Sequence, residues 1–214
     1  MPFAHYREIP IQENNELLVN LNVFDFVLEP SYFNQGLSAD KSMFLRKGVA
    51  EKLKAAQEKL KIYKFKIWDG YRSRSVQNTI YKKFWEELRL KYPEWDEEKM
   101  KKEVGIFVNE ANNPLEIPPH ASGGAVDLTL VDLNGNELDM GTCFDYFGPE
   151  AHSSYFDQND MSAEIRQNRR ILKNALEAEG FLQYSDEWWH FDYGNQTWAF
   201  EGNNPIAVYG EVVK

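Results

Sequence analysis

The sequence predicts an α+β fold, a single domain with a mainly antiparallel central sheet flanked by helices. Three observations predict it. Helix-period apolar stripes and short strand-like runs are interspersed along the chain. An Asn134-Gly135 pair marks a tight two-residue hairpin, which makes at least part of the sheet antiparallel. No internal repeat, low-complexity linker or break in composition divides the 214 residues, so residues 1–214 are read as one domain.

That length can bury a sizeable core. With 43% hydrophobic and 14% aromatic residues the chain is globular rather than disordered. A formal charge of −10 without any basic run argues against nucleic acid as a partner. No apolar run is long enough to span a bilayer, so no membrane partner is expected. The first fifteen residues are polar and acidic, unlike a secretory signal, and a cytoplasmic location is the expectation, with a periplasmic one as the alternative if a leader was removed. Cys143 is the only cysteine, which excludes an intramolecular disulfide and a thiolate zinc cluster.

In chain order, the first forty residues carry the weakest pattern. Residues 17–23 alternate as a strand, and Tyr32-Phe33-Asn34-Gln35-Gly36 reads as an aromatic turn. In 42–60, Leu45, Val49, Leu53, Ala56 and Leu60 recur at helical spacing and predict a core helix. Residues 62–68 alternate with period two as a half-buried strand, ending at the Asp69-Gly70 turn, which delivers Tyr71 and Arg72 to the strand end. Ser73 or Ser75 can cap the next helix, whose stripe is Val76, Ile80, Phe84 and Leu88 and which Pro93 stops.

A more charged helical stretch follows at 96–109, with Met100, Val104, Phe107 and Val108 inward; residues 93–112 are read as a helical cover over the site. Residues 125–130 form a buried strand, and the Asn134-Gly135 turn reverses the chain into 137–140. Residues 144–161 are irregular. Ser162 opens a helix with Ile165, Leu172, Ala175 and Leu176 on one face, and Gly180 ends it. Residues 181–184 and 187–193 close the chain as a hairpin.

The chemistry concentrates in residues 118–130. Pro118 and Pro119 stiffen the approach, Gly123 and Gly124 permit a sharp turn, and the strand that follows carries Asp127. His120 and Asp127 are two of the three protein ligands a catalytic zinc needs, and His190 in Glu187-Trp188-Trp189-His190 is the third. Zinc lowers the pKa of its water from 15.7 to about 7, and Glu187 is the candidate acid and base beside it. In a regular strand Glu187 and His190 point to opposite faces. Both reach one metal only if Glu187 lies in a turn or at a bulge, which Ser185-Asp186 makes reasonable. His5 and His152 are read as satisfied polar residues, Trp188 and Trp189 as core, and residues 167–170 as a bracing helix face.

These residues carry a resemblance. His-x-x-Gly-x-Ala-x-Asp at 120–127 and Glu-Trp-Trp-His at 187–190 resemble the zinc D-alanyl-D-alanine dipeptidases, the VanX type of the D,D-peptidase superfamily. Asp69-Gly70-Tyr71-Arg72, Gly141-Thr142-Cys143-Phe144-Asp145 and Gln167-Asn168-Arg169-Arg170 are similar to that family in the same order, over residues 63–193. The resemblance implies the hedgehog/D,D-peptidase-like fold with one zinc ion per chain at the sheet. It implies that Asp145 holds the free amine of a small dipeptide substrate and that Tyr32 lines the site. Arg72 fits the cation that stabilises the developing oxyanion, since it stays charged and its planar fork holds orientation.

Hydrolysis of short D,D-dipeptides such as D-Ala-D-Ala is the expected activity. The alternatives are a D,D- or L,D-carboxypeptidase trimming longer peptidoglycan peptides, and a non-enzymatic zinc-binding module; the presence of Glu187 and Arg72 favours an enzyme. Pro118 stands where close relatives often carry Ser. Proline has no side-chain donor, so the choice among dipeptides is left open, as are the oligomeric state and the physiological role.

Overall fold

The computed structural model describes residues 4–107, 111, 113, 116–159 and 162–212. Its centre is a five-stranded sheet in which β2 (Val27–Leu28) pairs in parallel with β4 (Tyr63–Asp69), while β5 (Ala125–Asp132), β7 (His190–Asp192) and β6 (Leu182–Gln183) follow in antiparallel order. A second, two-stranded sheet pairs β1 (Leu18–Asn20) with β3 (Phe44–Arg46). The mainly antiparallel α+β architecture is thus the observed one.

β5 occupies the middle of the large sheet, and its residues 125–131 are all buried. Phe65 and Ile67 of β4 and Leu128 and Leu130 of β5 join a core with Val49, Leu53 and Ala56 of helix α2 (Lys47–Leu60). Helix α6 (Ala163–Glu177) adds Leu172 and Leu176, and the closing segment adds Phe181, Trp188 and Trp189. Each large side chain buried this way contributes roughly 1.5–3 kcal/mol.

The caps follow the sequence. Ser73 Oγ accepts from the Val76 amide at the start of helix α3 (Arg74–Lys91), and Ser162 does the same for Ile165 in α6. Gly180 ends that region with a φ of +88°. The hairpin at Asn134-Gly135 forms, with Asp132 Oδ1 accepting the amides of Asn134 and Asn136. Its return arm makes a single bridge, Val131 to Glu137, in place of a full strand.

Four expectations are corrected. The helix read over 42–60 begins at Lys47; residues 44–46 are strand, because Arg46 is buried and donates to the carbonyls of Ser122, Glu16 and Gly210. The strand read over 17–23 stops at Asn20, whose side chain caps a helical turn at Leu21–Val23. Residues 31–34 form a short helix, α1 (Ser31–Asn34), where the sequence reads as an aromatic turn. The irregular stretch 144–161 contains helix α5 (Tyr155–Gln158), and its last two residues lie outside the described ones.

Helix α4 (Glu97–Phe107) packs beside α3, with Met100 and Val104 buried in one cluster with Ile80, Leu88 and Tyr32. Val108, the side chain of Phe107 and most of 108–115 lie outside the described residues. Among the described residues no helix is long and apolar enough to cross a membrane.

Candidate active site

The register of the large sheet places Asp69 opposite Asp127, and Asp127 opposite His190, in one row across three strands. A register shift between Ile67 and Asp69 turns the end of β4 toward that row. His120 reaches it from the helical turn Pro119–Ser122, which Gly123 closes in the left-handed region at φ +71°. Gly124 follows where any Cβ would stand 2.4 Å from the Tyr193 carbonyl oxygen, so only glycine lets the two strands meet there.

His120 Nε2 lies 3.2 Å from His190 Nδ1 and 3.3 Å from Asp127 Oδ2, while His190 Nδ1 is 2.9 Å from Asp127 Oδ1. Donors bound about 2.0–2.2 Å from a tetrahedral zinc stand roughly 3.3–3.5 Å apart, so the spacing suits that metal. The remote nitrogens support the same reading. His120 Nδ1–H donates to the Gly70 carbonyl at 2.7 Å, and His190 Nε2–H donates to Asp192 Oδ2 at 3.3 Å. Each bond gives the remote nitrogen's proton an acceptor and so leaves the other nitrogen to serve as the ligand when a metal binds. Asn195 in turn holds Asp192 Oδ1 at 2.6 Å. Among the described residues these three are the group of His, Cys, Asp or Glu that gathers its donor atoms this closely.

Charge reinforces the cluster. Burial alone would raise the Asp127 carboxyl, but the imidazoles of His120 and His190 outweigh it and hold it well below the usual carboxylate range. His190 is pushed up, because Asp192 and Asp127 outweigh the burial that would lower it.

Glu187 sits in the turn ahead of β7, not in the strand, and the His190 amide donates to its carbonyl at 3.3 Å. The conflict posed by strand alternation therefore does not arise. Its carboxylate Oε2 lies 3.8 Å from His190 Nδ1, and burial raises its pKa well above the ordinary glutamate value. A buried carboxyl held ready to carry a proton beside a metal cluster has the properties of a general acid and base.

Arg72 is buried, with Nε 2.9 Å from Asp69 Oδ2 and Nη2 3.9 Å from Asp127 Oδ2. Its guanidinium lies over the Tyr32 ring at 4.9 Å. Tyr32 donates to Asp145 Oδ1 at 3.2 Å, and Asp145 holds a φ of +57°. Burial, with Asp127 adding to it, pushes the Asp145 carboxyl up to about 7 against the lowering pull of Arg72 and Tyr32. Arg72, His120, Glu187 and His190 line a cavity of about 380 Å³. Tyr32 borders a second hollow that Arg72 also lines, and Asp145 borders a third.

All seven residues singled out in the sequence thus gather around Arg72 and Asp127. Three supporting groups were missed. Asp192 lies two residues beyond His190 on the same strand face, a period-two relation that points to it. Asp69 stands in the Asp-Gly turn, where its partnership with Arg72 is hidden until the bulge forms. The Gly70 carbonyl has no signature in a side-chain pattern. The remaining sequence readings of this region find partners as expected: Asn168 and Arg169 donate to the carbonyls of Asp139, Met140, His152 and Glu150. Trp188 and Trp189 are buried, His152 pairs with Asp186 at 3.1 Å, and His5 accepts the Arg7 amide.

Comparison with known proteins shows which family the chain is similar to. A D-alanyl-D-alanine dipeptidase of Synechocystis sp. is 30% identical over 242 residues, covering 99% of this chain and 98% of that protein. One from Enterococcus faecium is 34% identical over 137 residues, 60% of this chain and 61% of its own length. In fold, the chain is similar to a mutant of the vancomycin-resistance D,D-pentapeptidase VanY in complex with Zn(II), with a TM-score of 0.50, 14% identity and 92% and 94% of the two chains covered. The model of the Peptidase_M15 family, described as D-Ala-D-Ala dipeptidase, matches residues 34–207, more than half of the sequence, and to that family of metallopeptidases the chain belongs.

Proposed function

We propose that the protein is a zinc-dependent dipeptidase that hydrolyses short D,D-dipeptides such as D-Ala-D-Ala. His120, Asp127 and His190 hold one zinc ion per chain. Bound there, zinc supplies a Lewis acid and a water whose pKa falls to about 7. Glu187 takes the proton of the attacking water and passes it to the leaving amine, a role its raised pKa suits. Arg72 faces the carbonyl oxygen as negative charge develops, fixed in place by Asp69 and by the Tyr32 ring. Asp145, with Tyr32 bonded to it, takes the substrate's free amine.

The observation that carries the reading is the turn that puts Glu187 Oε2 3.8 Å from His190 Nδ1, while Arg72 lines the same cavity. A metal-binding module has no need of a buried acid and a buried cation facing its metal. The size agrees, since about 380 Å³ is near the lower end of ligand pockets, roughly 300–1,000 Å³. The test is a kinetic screen of zinc-loaded protein against free dipeptides and longer wall peptides. Turnover of free D,D-dipeptides ahead of wall pentapeptides is the expected result; the reverse order would assign a carboxypeptidase.

A further inference from the structure

We infer that residues 4–9 form a carboxyl-end stop on the cleft, limiting how far a bound peptide can extend beyond the bond that is cut. The inference rests on the dipeptidase reading above and adds a specificity element to it.

The cavity that contains Arg72, His120, Glu187 and His190 has the N-terminal segment as another part of its wall, through Ala4, His5 and Tyr6. Asp145 and Tyr32 do not line it; they border two other hollows, and Arg72 lines both this cavity and the one at Tyr32. With the amine at Asp145 and the scissile carbonyl between Arg72 and Glu187, the released residue occupies this cavity. His5 and Tyr6 form part of the wall around it.

The segment is built into the fold. Glu116, buried to 5% exposure, accepts a hydrogen bond from the Tyr6 hydroxyl and pairs with Arg7 Nη2 at 2.6 Å. The Glu116 carbonyl accepts from Arg74 Nη2 at 2.7 Å, two residues beyond Arg72. The far end of the segment is fixed separately. Ile9 is buried against Ala199 and Ala207, and Gln196 Nε2 donates to its carbonyl at 2.8 Å. The anchors stand at Tyr6, Arg7 and Ile9, directly behind Ala4 and His5, and a wall held through buried groups does not yield to a longer peptide at low cost.

The same segment also offers the cavity a donor. Pro118 provides none. His5 Nδ1 accepts the Arg7 amide at 3.2 Å, so the neutral ring carries its proton on Nε2. A dipeptide carboxylate is therefore met by an imidazole N–H, and a third residue is met by a wall.

The test compares D-Ala-D-Ala with D-Ala-D-Ala-D-Ala, which keeps the free amine and extends only the other end. Binding of both is measured by calorimetry on zinc-loaded Glu187→Ala protein, with residues 5 and 6 intact or changed by His5→Ala and Tyr6→Ala together. Turnover of both is measured on the parent and the double variant, with a thermal melt to check folding. The intact segment should favour the dipeptide by at least about tenfold, and the double variant should erase most of that preference. Tyr6→Phe removes only the bond to Glu116 and serves if the double variant does not fold; it should relax the preference in the same direction. Equal binding of the two peptides by the intact segment overturns the stop, as does an unchanged preference in whichever variant folds. If the parent protein binds the dipeptide selectively and does not cut it, the hydrolase reading fails and the stop stands. Binding of neither peptide overturns both.

Discussion

Glu187 and His190 are three residues apart, and the Trp188-Trp189 turn between them sets Glu187 Oε2 3.8 Å from His190 Nδ1. Both indoles are buried, and Trp188 Nε1 donates to Thr142 Oγ1 at 2.7 Å, so the turn is locked by the core beneath it. Acid–base help of this kind is typically worth about 10²–10⁴-fold. Glu187→Ala should lose most turnover by that order and keep its metal. Steady-state kinetics with elemental analysis checks this, and wild-type kcat would remove Glu187 from the mechanism.

Metal content tests the ligand set. His120→Ala, Asp127→Ala and His190→Ala each delete one of three protein donors and should bind zinc substoichiometrically after dialysis. Asp192→Asn leaves all three donors but weakens the acceptor that orients His190 at 3.3 Å. Loss of such a partner typically costs about 10–100-fold in metal affinity. A competitive chelator titration should place Asp192→Asn between the parent and the ligand variants. Full zinc occupancy in all three alanine variants would sink the assignment.

Much of this was legible in the sequence because period and punctuation carried it. The buried run around Asp127, the alternation of residues 62–68 and the serine caps each follow from local chemistry. The close pairing of Asp69, Asp127 and His190 was not legible, because it depends on strand order and on the register shift after Ile67. Residues 44–46 misled for a related reason. Leu45 fits the helical stripe, but Arg46 needs an extended backbone to reach the carbonyls of Glu16, Ser122 and Gly210, which come from three distant parts of the chain. The N-terminal segment, read as a polar stretch, lines the cleft because Glu116 and the packing of Ile9 hold it there.

Arg72 has two neighbouring carboxylates, Asp69 at 2.9 Å and Asp127 at 3.9 Å, and these, with Tyr32 and Asp145, outweigh burial and hold its pKa above the ordinary value. It is a fixed cation at every working pH. Arg72→Ala should keep zinc and lower kcat more than it raises KM, as expected of an interaction made chiefly in the transition state. Arg72→Lys should recover little, since an ammonium cannot both hold Asp69 and present a planar fork. Asp69→Asn should cost less than Arg72→Ala, because it loosens the guanidinium without removing it. An Arg72→Ala protein with unchanged kcat and raised KM would make Arg72 a ground-state binding group.

Asp145 predicts both a substrate preference and a pH dependence. Burial pushes its carboxyl up to about 7, so in the metal-free protein it is neutral below that pH and ionised above it. Only the ionised form pairs with a substrate ammonium. The kcat/KM for a free dipeptide should therefore rise with pH through this ionisation, then fall as the substrate amine loses its proton near about 8. Zinc beside Asp127 adds positive charge and draws the rising limb to lower pH. An N-acetylated dipeptide has no ammonium and should lack the limb. Truncating one partner of a buried charge pair typically costs about 2–5 kcal/mol, so the blocked dipeptide, or a pentapeptide ending in the same two residues, should be cut at least about tenfold less well. Asp145→Asn should narrow that gap mainly by hurting the free dipeptide, and should flatten the Asp145 limb of its pH profile. The measurement is kcat/KM against pH for free and blocked substrates with both proteins. Should the parent protein cleave the pentapeptide as well as the dipeptide, the carboxypeptidase reading replaces this one, and Asp145 becomes the residue that shapes a tight turn at φ +57° and anchors Tyr32.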